Sequence, residues 1–363
     1  MKFTIDESIE KIPYYPKAMM YGSDEGWVRL SSNENPFPPS PSVMSALLDA
    51  VLSVNRYPGA EYDLKTAIAA KWGLKPQEVL IGNGSNELIE VAFKGMKHPG
   101  RNGVIIADPS FAFYAIAAAI YGYEAVKVPL SGMHVDLKAV AASVDEKTRL
   151  IFINNPLNPT GTIFEHSAFV DFLKEISPDV LVVVDEAYEE FVESEKFPRS
   201  LQFIHDYPVL VLKTFSKAYG LAGLRVGYGI GDESLIPYME RTKQPFSVNS
   251  AALTAAKAAL ADESYLKMVL SNNRAVKKAF CEALESLSLE YVPTETNFVL
   301  LRIGPGAEGL TKRLFDERII VRWMAAYSLP DYIRVTLGKM EENMLVIDAL
   351  RRFADETRPD HHH

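Results

Sequence analysis

Two hydrophobic periods alternate along most of this chain. From about residue 74, short β-branched runs alternate with stretches of helical period, the arrangement that builds a mostly parallel sheet covered by helices. Seven strands are predicted, at residues 79–81, 104–107, 125–128, 150–153, 181–184, 209–212 and 226–230. Between them, Phe169, Phe172, Leu173 and Ile176 recur at helical spacing and make one apolar face. The expected core is α/β.

After Gln244-Pro245 the pattern changes. A long helical region over 251–287 is followed by separated strands at 297–302, 319–323 and 333–337, which reads as a second, smaller α+β unit. The run Asn35-Pro36-Phe37-Pro38-Pro39 admits neither helix nor central strand, so the N-terminal arm is expected to run extended over the surface or across to a partner. The expected division is 1–40 as arm and part of the small domain, 41–245 as the large domain and 246–358 as the small C-terminal domain. Residues 359–363, ending in three histidines, resemble the remnant of an expression tag.

Composition narrows the function classes. Hydrophobic residues at 48% and charged residues at 23% fit an ordinary soluble globular protein of 363 residues. A net charge of −9 disfavours nucleic acid and anionic membrane, so an anion must be held at a local site. The longest apolar stretches, such as 111–123, are too short to span a bilayer. Cys281, the single cysteine, can form no internal disulfide and no cysteine cluster for zinc, which suits the cytoplasm; no metal is expected.

Polar residues gather just past the predicted strands, where open parallel sheets place ligands. Gly82-Asn83-Gly84-Ser85-Asn86-Glu87 leads from a strand into a helical pattern, and such a helix start either holds a phosphate on its amides or is simply a turn. In Asn154-Asn155-Pro156-Leu157-Asn158-Pro159-Thr160-Gly161, two X-Pro steps force a non-helical turn that fixes Asn158 at the sheet edge. Asp185-Glu186-Ala187-Tyr188 ends the most apolar strand. There Asp185 either caps the next element or meets a cation, such as a protonated pyridine nitrogen, that makes its burial tolerable. Finally, Thr214-Phe215-Ser216-Lys217-Ala218-Tyr219-Gly220-Leu221-Ala222-Gly223-Leu224-Arg225 sets a lysine among small residues at a strand end. Desolvation there would make Lys217 nucleophilic, with Thr214, Ser216 and Arg225 completing an anion site beside it.

These four segments, in this order and spacing, resemble the fold-type I pyridoxal-phosphate (PLP) aminotransferases, specifically the histidinol-phosphate aminotransferase branch. The likeness extends to Ser32-Asn33-Glu34-Asn35-Pro36, Arg56-Tyr57-Pro58, Asp108-Pro109-Ser110-Phe111, Thr296-Asn297-Phe298 and Ile333-Arg334-Val335-Thr336-Leu337-Gly338. It implies a large domain with a mostly parallel seven-stranded sheet and a smaller α+β domain. It also implies a set of roles: Lys217 as the Schiff-base lysine, Asp185 on the pyridinium nitrogen, and Asn158 and Tyr188 on the phenolic oxygen. Phe111 would stack on the cofactor ring, and Ser85, Asn86, Thr214, Ser216 and Arg225 would hold its phosphate. Tyr57 would reach the phosphate of a neighbouring subunit, implying a homodimer with shared sites. Arg334 would receive the substrate carboxylate, with Arg322, Asn297 and Tyr14 lining the same pocket.

The activity implied is transfer of an amino group from histidinol phosphate to 2-oxoglutarate, a step of histidine biosynthesis. An aromatic amino-acid aminotransferase and a threonine-phosphate decarboxylase are alternatives within the fold. A non-catalytic PLP-fold regulator is disfavoured, since nothing before Tyr57 resembles a helix-turn-helix. Two positions depart from the family pattern: Leu157 stands where many relatives have asparagine, and Asn86 where an acidic residue is common. Both leave substrate preference more open than reaction type.

Overall fold

The computed structural model describes residues 5, 7–16 and 25–357, so the expected tag remnant at 359–363 lies outside the described residues. Its strands are β1 (Val28–Arg29), β2 (Val79–Gly82), β3 (Gly103–Asp108), β4 (Glu124–Pro129), β5 (Thr148–Asn154), β6 (Leu181–Asp185), β7 (Val209–Thr214), β8 (Gly227–Ile230), β9 (Tyr291–Val292), β10 (Phe298–Arg302), β11 (Ile319–Ile320), β12 (Arg322–Trp323) and β13 (Tyr332–Thr336). All seven strands predicted before residue 245 join one sheet, in the order β2-β8-β7-β6-β5-β3-β4. Within it β8 alone runs against the others.

Alternation along these strands feeds two cores. Ile105, Ile151, Ile153, Val182, Val184, Val209 and Val211 enter one face, while Ile106, Leu150, Phe152, Leu181, Val183, Leu210 and Leu212 enter the other. A sheet buried on both faces needs near-continuous apolar runs, and 181–184 supplies one. Helices His166–Glu175 and Ser250–Ala261 cover the first face, while Gly84–Gly95 and Phe113–Tyr121 cover the second. At the edge, β4 leaves most of its residues in solvent.

A smaller antiparallel sheet, β12-β13-β10-β9, has its own core with Val276, Phe280, Leu284, Leu310 and Leu350 from three helices. The helical region expected over 251–287 is broken at Asp262, whose carboxylate caps the second helix by accepting from the Tyr265 amide at 3.0 Å. Packing changes later than residue 245: Ala252, Leu253, Ala255, Ala256 and Ala259 belong to the large-sheet core, and the helix Glu263–Ser286 carries the chain into the small one. The strand expected over 319–323 is two. Here β11 pairs in parallel with β1 from the N-terminal segment, while β12 joins β13.

Candidate active site

The carboxyl ends of β5, β6 and β7 open into a cleft of about 470 Å³, closed on its far side by β12, β13 and the segment after β1. Open parallel sheets gather ligands at such an edge because the loops there leave room and the strand ends present polar groups. Register sets Asn154 beside Asp185, one strand over. Lys217 follows β7 by three residues and lines the same cleft.

Asp185 is buried. Its carboxylate accepts from the Tyr114 hydroxyl at 2.7 Å and the Ala187 amide at 3.1 Å. No basic side chain forms an ion pair with it among the described residues, and burial raises its pKa. The Asp185 carboxylate thus turns back on the Ala187 amide and does not cap the next element, a short 3₁₀ turn at Glu189–Phe191 whose N-cap is Tyr188. A carboxylate so placed is stabilised by a cationic group entering the cleft.

Lys217 is half-buried, its Nζ donating to the Ser32 carbonyl at 2.9 Å and lying 5.7 Å from the centre of the Tyr188 ring. Burial lowers its pKa to about 8, helped by the Arg334 and Arg225 charges and opposed by Glu34 and Asp185. Tyr188 packs edge-on against Phe298 and takes a hydrogen bond from Asn33 Nδ2 at 2.9 Å. Burial pushes its phenol up, with Arg334 pulling it back.

One end of the cleft is a cup formed by Ser85, Asn86, Thr214, Ser216 and Arg225. Glycine is required here by close approach. A Cβ on Gly84, which has φ +73°, would stand 2.5 Å from Arg225 Nη2, and one on Gly227 would stand 2.8 Å from the Ser85 amide nitrogen. The first turn of Gly84–Gly95, with its unpaired amides, is thereby drawn against Arg225, a pairing suited to phosphate. Arg225 donates to the Ala222 carbonyl and has no carboxylate partner among the described residues.

The other end carries two arginines. Arg322 on β12 and Arg334 on β13 are cross-strand partners, a juxtaposition of like charges that is unfavourable until an anion joins them. Arg334 is buried, donates to Asn158 Oδ1 and to the Ser31 carbonyl, and leaves its Nε without a partner. Arg322 donates to the Pro16 carbonyl. Neither forms an ion pair with a carboxylate among the described residues. The buried Asn154 Oδ1 is likewise unpartnered.

The cleft thus brings together Ser85, Asn86, Phe111, Asn158, Asp185, Tyr188, Thr214, Ser216, Lys217, Arg225, Arg322 and Arg334. Two residues expected in this cleft stand elsewhere, while Tyr57, expected at a neighbouring copy's site, lies outside it. The Tyr14 side chain is 99% exposed, and it is Tyr15 that lines the cleft, edge-on to Phe111; neighbouring side chains in a non-helical segment can face opposite ways. Asn297 is buried behind the wall and reaches the cleft only through Asn33, whose carbonyl accepts its Nδ2 at 3.0 Å. Tyr57, 81% exposed, stacks on Phe246 beside a separate surface hollow.

The profile described as "Aminotransferase class I and II" matches residues 25–350. The histidinol-phosphate aminotransferase of Moorella thermoacetica is 42% identical over 89% of this chain and 84% of its own length. The histidinol-phosphate aminotransferase 2 of Ralstonia nicotianae is 44% identical over 89% and 87%. The chain belongs to this aminotransferase family. In three dimensions it matches the histidinol-phosphate aminotransferase of Sinorhizobium meliloti, solved in complex with pyridoxal-5'-phosphate. That match has a TM-score of 0.85 at 29% identity and covers 91% of each chain.

Several groups of this aminotransferase site were not assigned from the sequence. Tyr114, which holds Asp185, follows Phe111 by one helical turn in an aromatic cluster, and that spacing was an available signal. Arg29 and Glu34, paired at 3.1 Å, join the wall together with Ser31, Ser32, Asn33 and Tyr327. Their place depends on β1 pairing with β11 nearly three hundred residues away, which no local pattern announces.

Proposed function

We propose that this protein is a PLP-dependent transaminase that takes the amino group of histidinol phosphate and delivers it to 2-oxoglutarate, yielding imidazole acetol phosphate and glutamate for histidine biosynthesis. One observation carries the substrate reading: Arg322 and Arg334, adjacent across two strands, face Lys217 and Asp185 across one cleft without a carboxylate of their own. Guanidinium groups bind phosphate or carboxylate through paired hydrogen bonds, so one arginine pair can serve a phosphorylated donor and a dicarboxylate acceptor in turn.

The residues fit PLP. Arg225, Thr214, Ser216 and the helix start at Ser85 and Asn86 would hold its phosphate, Asp185 its ring nitrogen, and Asn158 and Tyr188 its phenolic oxygen, with Phe111 beside the ring. When bound, PLP supplies an electron sink for the pair left as the substrate's α-proton departs. Asp185, kept from water and anchored by Tyr114, would hold the proton of the ring nitrogen in place. Lys217 Nζ would carry the substrate's α-proton to the carbon on the other side of the amino nitrogen, two atoms away, a task suited to an amine whose basicity burial has lowered. Arg334 would orient the substrate by its anionic group, and the Tyr15 ring, edge-on to Phe111, would line the cleft beside it.

Association of two copies is part of this reading. The helix Pro41–Val51 leaves Met44, Leu48 and Val51 in solvent at helical spacing, and Leu52, Val54, Tyr57 and Phe246 continue the apolar surface. A homodimer would cover it and bring Tyr57 to the neighbouring copy's cup. The single cysteine suits the cytoplasm.

The test is a panel. Purified protein is given histidinol phosphate, phenylalanine or threonine phosphate with 2-oxoglutarate, and both glutamate and carbon dioxide are measured. Glutamate formation with a kcat/KM at least about tenfold higher for histidinol phosphate is expected. Preference for phenylalanine, or release of carbon dioxide from threonine phosphate, overturns the substrate assignment.

A further inference from the structure

The short segment after β1 touches three groups of the site at once. The Ser31 carbonyl accepts from Arg334 Nη2 at 2.9 Å, the Ser32 carbonyl accepts from Lys217 Nζ at 2.9 Å, and Asn33 Nδ2 donates to the Tyr188 hydroxyl at 2.9 Å. The segment hangs on β13 and on Asn297, the residue before β10. The Thr336 amide donates to the Leu30 carbonyl at 2.8 Å, the Asn33 amide donates to Thr336 Oγ1 at 2.9 Å, and Asn297 Nδ2 donates to the Asn33 carbonyl at 3.0 Å. Arg334 lies on that strand, two residues before Thr336.

Asn33 is 1% exposed and turns the chain with φ 56°, a left-handed conformation that asparagine tolerates better than most residues. Glycine would satisfy the backbone as well, so the turn alone does not call for an amide. The amide has its own work: its oxygen accepts from the Thr336 hydroxyl at 3.3 Å, which orients its nitrogen toward Tyr188. Because that nitrogen donates to the phenol oxygen, the phenol's own proton is left to donate elsewhere.

We propose that Asn33 is a positioning residue: its amide fixes the Tyr188 phenol as a hydrogen-bond donor toward the cleft, while its backbone ties that phenol to the strand bearing Arg334. The role deepens the transaminase reading and rests on it, yet its main readout needs neither cofactor nor substrate. Burial of Tyr188 raises its pKa, and the Asn33 donor opposes that rise. Removing the donor must therefore raise it further.

The experiment uses the full chain, freed of cofactor and labelled with 13Cζ-tyrosine, with the Tyr188 resonance assigned by its loss in Tyr188→Phe. Asn33→Gly keeps the left-handed turn and removes the amide. Asn33→Asp keeps the size and the turn but presents a carboxylate in place of the donor. The Tyr188 titration is expected to move up by about one pH unit in Asn33→Gly, the size of one hydrogen bond to an ion, and further in Asn33→Asp, where like charge adds repulsion.

In the loaded enzyme both variants are expected to lose about tenfold or more in kcat while KM for 2-oxoglutarate stays within about threefold, because Ser31 still holds Arg334. A Tyr188 titration unmoved in both variants overturns the proposal. So does a fall in melting temperature with kcat per loaded site intact, since that describes a fastening role only. If the wild-type protein refuses histidinol phosphate while the Tyr188 shifts appear as stated, the substrate assignment falls and the positioning role stands.

Discussion

Lys217 shows how a fold alters one residue's chemistry. Its amine follows an apolar strand, loses water by burial and faces Arg334 and Arg225, and its pKa falls to about 8. The sign is that of a cation disfavoured by its surroundings, so the neutral, nucleophilic fraction rises as pH passes through about 8. At pH 8 about half the amine is neutral, against roughly one part in three hundred for an ordinary lysine. Acylation of Lys217 in cofactor-free protein, followed by peptide mass spectrometry, is expected to climb with pH and level off just above 8. In Arg334→Gln the midpoint moves upward, because a neighbouring positive charge has gone. A midpoint near that of the other lysines would refute this electrostatic account. The position of Lys217 was legible in the sequence, as a polar residue set among small ones directly after an apolar run. Choosing Tyr15 over Tyr14 was not, since adjacent identical side chains give no local cue to which one faces inward.

The strand behind Lys217 has a second charged feature on its other side. Alternation along β7 sends Val209, Val211 and Lys213 to one core, and Lys213 is fully buried there. Its ammonium donates to Glu186 at 2.8 Å and to Glu189, and lies 4.7 Å from the centre of the Trp72 ring. Burial pushes Glu186 up to about 7 despite the pull of Lys213, and Glu190 rises to about 7 as well. Lys71, Tyr219 and Tyr228 complete the charged and titratable neighbourhood. Removing one partner of a buried pair strands the other, so Lys213→Met is expected to lower unfolding free energy by about 3–5 kcal/mol at pH 8. Without Lys213 to pull it down, Glu186 rises further above its unfolded pKa in the variant than in the wild type, so the variant gains more as pH falls and the deficit should shrink between pH 8 and 5. Adding Glu186→Gln should recover part of the loss; urea unfolding of the three proteins at both pH values decides. Nothing in the sequence announced this cluster, because a lysine in a strand reads as solvated until both sheet faces are known to be covered. The strands themselves were readable because each apolar run is local. The split into β11 and β12 was hidden because it depends on distant partners.

At the scale of the whole molecule, a chain of net charge −9 concentrates Lys217, Arg225, Arg322 and Arg334 around one cleft. Such a field draws anionic substrates locally while the rest of the surface repels them. The cup for the phosphate lies within one copy, whereas Tyr57 faces outward beside the apolar helix Pro41–Val51, so a complete site would draw on two chains. Sharing of that kind has an arithmetic consequence. In a mixed dimer of Lys217→Ala and Tyr57→Ala chains, the site built on the first chain carries both defects, and the site built on the second carries neither. Co-refolding the two inactive variants in equal amounts makes about half the dimers mixed and so restores about a quarter of wild-type activity. Sites contained within single chains would leave the mixture at the mean of the two variants, with no gain on co-refolding. Introducing Leu48→Arg into both chains should abolish the recovery and halve the particle mass seen by light scattering, because a charge on that face cannot be buried unpaired.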